Sequence, residues 1–128
     1  MKRIVYGLAL VSCAGISVPG AAEDVRIENL MRSELQVVDG AEVIVSVVEI
    51  GPRLTLPKHY HPGEEFIYLL EGSATVWQQG KPDVALHAGE VFRVPLEQVH
   101  TAMTSESSAR AIIFRVHRKG APDRVPVE

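Results

Sequence analysis

Between Val43 and Arg118 the chain never runs far without a turn signal. Gly51-Pro52, Pro62-Gly63, Gly72, Gly80-Lys81-Pro82-Asp83, Ala88-Gly89, Pro95 and Ser105 to Ser108 divide it into short stretches. Glycine supplies left-handed backbone and proline a fixed φ, while Val, Ile, Phe, Tyr and Thr between them favour extended chain. Strands are expected at 66–70, 73–79, 84–87, 91–94, 100–104 and 110–118, and residues 35–38, the turn pair Asp39-Gly40 and residues 43–50 read as a hairpin. Residues 23–34, with Val25, Ile27, Leu30 and Met31 as their apolar set, fit either a strand or a helical turn. Many short strands and no long helical pattern make the fold class all-β, an antiparallel sandwich or barrel, with a jelly roll as the best match. Residues 66–70 and 111–114 are apolar on both faces, so the outer face needs a cover, either a homodimer partner or other segments of the same chain. The tail, Gly120 to Glu128, has two prolines and a glycine and reads as an extended arm.

One stretch carries chemistry. In Lys58-His59-Tyr60-His61-Pro62-Gly63-Glu64-Glu65, alternation on an extended strand points His59 and His61 the same way and Tyr60 the other. The Pro62-Gly63 turn then brings a carboxylate, Glu64 or Glu65, against the two imidazoles. A second segment, Gly89 to His100, is a short strand, a turn at Pro95 and another histidine, which makes His100 a candidate fourth ligand. His87 and His117 lie in ordinary strand patterns and read as surface or hydrogen-bonded core residues.

Together these segments, His-x-His-x3-Glu-x6-Gly and then Gly-x5-Pro-x4-His, resemble the paired motifs of the cupin superfamily. With Lys119 to Pro122 near the C-terminus, the chain looks most like the exported, single-domain bacterial members. That resemblance implies a double-stranded β-helix barrel with His59, His61, Glu65 and His100 as metal ligands, and it selects Glu65 over Glu64. The chain also departs from the pattern. Arg53 stands where the leading glycine is usual, six residues before the first histidine, and Gly51 lies two residues earlier. Glu97 replaces the glycine expected after Pro-x, and Thr104 the usual asparagine. Neither change removes a ligand.

Three imidazoles and a carboxylate form a donor set of intermediate softness, suited to one divalent ion of Mn, Fe, Co, Ni, Cu or Zn. Four protein ligands on an octahedral ion leave room for a small oxygen-bearing molecule, which a closed structural site would not. Similarity to small cupins implies dioxygenase-like or isomerase chemistry, with the metal as Lewis acid or redox centre. The alternative is a module that binds a small ligand or a metal without turnover. Glu64 and Glu97 read as solvated carboxylates rather than general bases, and Arg93 as a pocket or rim residue.

A length of 128 residues suits one domain. Met1-Lys2-Arg3, the apolar run Ile4 to Val18 and the small residues Gly20-Ala21-Ala22 have the three parts of a secretory signal peptide over residues 1–22. Export, to a bacterial periplasm, is expected; the alternative is a lipoprotein anchored through Cys13 after Leu10-Val11-Ser12. The run is too short for the roughly 20 residues that span a bilayer, so no membrane span is expected. The domain is then 23–119, with a core over about 43–118 and a tail at 120–128. The full chain carries a formal charge of −3, and without residues 1–22 it keeps eleven basic and sixteen acidic residues, or −5, a balance that argues against a nucleic-acid partner. Cys13 is the single cysteine, so that domain forms no internal disulfide.

Overall fold

Nine strands and no helix make up the part of the chain that the computed structural model describes, residues 24–128. The signal peptide expected over 1–22 and its Cys13 alternative lie outside the described residues. The strands are β1 (Val25–Glu34), β2 (Ala41–Ile50), β3 (His59–Tyr60), β4 (Gly63–Gln78), β5 (Val84–His87), β6 (Val91–Val94), β7 (His100–Met103), β8 (Ala109–Arg118) and β9 (Val125–Pro126). They pair antiparallel in the order β1-β2-β8-β4-β7-β3-β9, with β5 and β6 also on β4. The result is the curled all-β jelly roll expected from the turn spacing. No helix among the described residues is long and apolar enough to cross a membrane.

β4 makes the corner between the two sheets. Its first half pairs with β6 and β8, its second with β5 and β7. The register with β8 shifts between Leu69 and Glu71, where Leu70 bulges out. One extra residue inverts the side-chain alternation, so the inward set changes from Glu65, Ile67 and Leu69 to Ala74, Val76 and Gln78. Two runs expected as separate strands, 66–70 and 73–79, are therefore one bent strand.

The hairpin at the start needs a correction. Residues 35–38 do not form its first strand: β1 pairs along the whole length of β2, leaving Leu35 to Gly40 as the connection. Asp39-Gly40 still makes the turn, with Gly40 at φ 70° and the Leu35 N–H bonded to the Ala41 carbonyl at 2.9 Å. Without a strand partner Val37 is 89% exposed. Of the segment open between strand and helical turn, residues 25–34 form β1.

Alternation fills the barrel. Ile67, Leu69, Val76, Leu86, Val94 and Ile113 join in one buried cluster, each such side chain worth about 1.5–3 kcal/mol of transfer free energy. Toward the other end of β2 and β8 the inward residues turn polar: Glu42, Ser46, Arg115 and His117 are all buried. Outside, Phe66, Tyr68 and Phe114 stay exposed, so neither β1 nor the tail covers them.

Candidate metal centre

Where the apolar core gives way to the polar end, β3, β4, β7 and the Pro62 turn bring His59, His61, Glu65 and His100 together, all buried. His59 on β3 is the register partner of His100 on β7. The ring centroids are 4.9 Å apart for His59 and His61, 4.5 Å for His59 and His100, and 5.2 Å for His61 and His100. One nitrogen from each ring lies within 4.8 Å of the others.

Each imidazole is oriented by a backbone carbonyl. Nδ1 of His59 donates to Pro57 O at 2.8 Å, Nδ1 of His61 to Asp123 O at 2.6 Å, and Nδ1 of His100 to Gln98 O at 2.9 Å. A carbonyl only accepts, so Nδ1 carries the proton and a neutral ring presents the lone pair of Nε2. Such an outer hydrogen bond fixes tautomer and ring direction in metal-binding histidines.

Glu65 faces the same nitrogens. Its Oε2 lies 2.8 Å from His61 Nε2 and its Oε1 3.5 Å from His100 Nε2. His61 Nε2 nevertheless makes no well-angled hydrogen bond to any described residue, although it is buried. A buried acceptor facing a carboxylate without a proton between them is stabilised by a cation, and the donor set present suits a transition metal. Burial lowers the His59 pKa to about 4, helped by the neighbouring His100 and His61 and opposed by the Pro57 carbonyl, so that ring is neutral at pH 7. Burial opposes ionisation of Glu65, but His100 and His61 outweigh it and hold the carboxyl below its usual range. Burial lowers His100, but Glu65 and the Gln98 carbonyl together outweigh it, so its net shift is upward.

The three departures from the motif have local explanations. Arg53 and Glu97 are the two non-glycine residues with left-handed backbone among those described, at φ 56° and 54°. Glycine suits these positions because no Cβ meets the following carbonyl, a clash worth roughly 1–2 kcal/mol. Thr104 ties down the loop leading to His59: its hydroxyl donates to Gly51 O at 2.5 Å and accepts the Leu54 N–H at 3.0 Å. Arg53→Gly and Glu97→Gly are each expected to stabilise the fold by about 0.5–1 kcal/mol, the relief of strain less the added freedom of the unfolded chain. Calorimetry checks this, and a lowered melting temperature for both would show that the left-handed turns carry no strain.

Of the other candidates, Glu64 pairs with Arg93 at 3.0 Å on the outer surface, so neither enters the site. Glu97 is exposed, as is His87. His117 is buried, but neither ring nitrogen has a hydrogen-bond partner among the described residues, unlike the hydrogen-bonded core residue expected. The four clustered side chains border a cavity of about 90 Å³, whose remaining wall is mostly aliphatic, including Ile50, Leu69, Val76 and Ile113.

The family model for the cupin domain matches residues 46–116. The chain belongs to the cupin family. This cupin is 38% identical over 92 residues to a 3-hydroxyanthranilate 3,4-dioxygenase of Burkholderia cenocepacia, covering 69% of this chain and 51% of the relative. It thus spans about half the length of that curated protein. Among solved structures, a DMSP lyase, DddQ, of Ruegeria pomeroyi aligns with a TM-score of 0.62 at 25% identity, over 66% of this chain and 43% of the lyase. An uncharacterised protein with a double-stranded β-helix domain from Klebsiella pneumoniae aligns at 0.66 and 20% identity, over 87% and 90% of the two chains.

Two contributors escaped the motif reading. Asp123, in the tail, holds His61 through its carbonyl, and its carboxylate binds Arg32 at 2.6 Å. Arg115 lines the cavity from β8. A period-two count along Ala109, Ala111, Ile113, Arg115 and His117 puts Arg115 on the same face as the core residues, and that was the available signal. For Asp123 no signal existed, because a backbone carbonyl leaves no mark in the residue type.

Proposed function

We propose that this cupin holds one divalent transition metal on His59, His61, Glu65 and His100 and presents it to a small oxygen-bearing molecule in the barrel. The observation that carries the reading is the convergence of three histidine nitrogens, each ring fixed from behind by a carbonyl, around a buried carboxylate. A metal bound there supplies Lewis acidity toward an oxygen atom and, for Fe, Mn or Cu, a redox centre. The protein's own part is to hold three neutral imidazoles in one tautomer, to place one negative charge on Glu65, and to surround the reacting molecule with aliphatic walls that exclude water. The likeness to a dioxygenase supports dioxygenase-like oxidoreductase chemistry, and isomerase chemistry fits the same arrangement.

The test is a panel of small oxygenated molecules offered to protein loaded separately with Fe, Mn, Ni, Cu or Zn. We expect substrate-dependent oxygen consumption, or an isomerised product by NMR, that disappears in His59→Ala and His100→Ala. Saturable binding with neither signal across the panel would instead establish a non-catalytic binding module.

A further inference from the structure

We infer that Arg115 anchors a carboxylate group, and hence that the small molecule entering this barrel is a short, otherwise apolar monocarboxylate. This inference rests on the reading of the barrel interior as a small-molecule site and names the class of molecule it takes.

Arg115 stands on the inward face of β8, after Ile113, and its register partner on β4 is Glu65. It is 7% exposed and borders the same cavity as the three histidines. Its polar partners are all neutral. Nη2 donates to Ser46 Oγ at 2.7 Å and to Asn29 Oδ1 at 3.3 Å, and Nη1 makes a long contact of 3.5 Å to the Asp123 carbonyl. Nε is buried with no partner among the described residues. The neighbouring carboxylates are engaged elsewhere: Glu42 and Asp123 bind Arg32, and Glu65 faces His61 and His100. No described carboxylate forms an ion pair with Arg115.

A guanidinium stays charged at any physiological pH, and burying a charge without a counter-charge costs several kcal/mol. Tying β1, β2 and the tail together needs hydrogen-bond donors but no charge. A full positive charge with an unused donor at a cavity is explained by an incoming anion. With both Nη2 protons engaged, a carboxylate oxygen would accept from the free Nε–H in a charge-assisted hydrogen bond, stronger than one to a neutral acceptor. Apart from the metal-site side chains and the exposed Arg124 at its border, the rest of the wall is aliphatic, and the cavity of about 90 Å³ is smaller than the roughly 150 Å³ cavity that holds benzene, so a molecule of about four to six non-hydrogen atoms fits.

Butyrate and its neutral, similarly shaped amide, butyramide, are the probes. They are titrated by calorimetry into Zn-loaded wild type, into Zn-loaded Arg115→Gln, and into the His59→Ala/His100→Ala double variant, where no bound metal can attract the carboxylate. Zn content is measured separately. We expect butyrate to bind wild type and the double variant at least about tenfold more tightly than butyramide, as a charged hydrogen-bonded pair allows. Arg115→Gln should lose at least about tenfold for butyrate, with butyramide affinity and Zn content unchanged. Equal affinity for the two probes in the double variant, or an undiminished preference in Arg115→Gln, overturns the proposal. Should Arg115→Gln not fold, the double variant decides alone. A protein that takes up no Zn yet keeps an Arg115-dependent preference would sink the metal reading and leave this one standing; a Zn-filled protein without the preference does the reverse.

Discussion

Replacing His59, His61 or His100 by alanine is expected to weaken metal binding on the order of a hundredfold or more, whereas His87→Ala and His117→Ala leave occupancy at one ion per chain. Substitutions in the outer shell of a metal site already cost about 10–100-fold, and here a ligand itself is lost. The three rings are held by separate carbonyls, those of Pro57, Asp123 and Gln98, so removal of one leaves the other two in place. His87 lies on the surface, and His117 offers no nitrogen to the cluster. The measurement is elemental analysis and competition with a chelator after reconstitution with Mn, Fe, Ni, Cu and Zn in turn. A wild type that stays empty with all five, or a His100→Ala protein that fills normally, would end the metal reading.

The second large effect is on the fold. Gly72→Ala is expected to destabilise the protein by about 3 kcal/mol or more, a substantial part of the 5–15 kcal/mol that holds a domain together. Gly72 has φ 75° and sits where β4 leaves the bulge and pairs with Ala109. A Cβ there would fall 1.8 Å from the Ser108 carbonyl oxygen and 2.9 Å from its carbon. Ser108 immediately precedes β8, so its carbonyl cannot move aside without disturbing the Gly72–Ala109 pair that ends the β4–β8 ladder. Gly80 is the matched control, with φ 76° and nothing within 4 Å of the same Cβ. Gly80→Ala should therefore cost only the left-handed strain less the lost freedom of the unfolded chain, about 0.5–1 kcal/mol. Urea unfolding of the two variants separates the terms, and equal losses would show that Ser108 yields.

What was legible in the chain was local. β5 and β6 match their expected bounds, and β8 begins one residue early, because these strands lie between strong glycine, proline or serine breaks. The grouping of His59 with His61 followed from alternation and from the turn after them. The glycine positions of the motif could be named from resemblance, yet why they matter became visible only in the left-handed backbone of Arg53 and Glu97. Residues 35–38 form no strand because β-propensity marks residues able to form one, and both edges of β2 are already filled, one by β1 and the other by β8.

By itself the sequence determined that the described chain is all-β, where its turns fall, and which residue types could meet a metal, since these depend on backbone preferences and on neighbours a few positions away. Only the tertiary structure decided that β4 bends from one sheet into the other at Leu70, that the Asp123 carbonyl reaches back to orient His61, and that Arg115 stands beside the cavity with its Nε unpaired. Those facts join residues tens of positions apart. They arise from competition among strands for partners and from charges meeting across a shared interior, and no local pattern records the outcome of that competition.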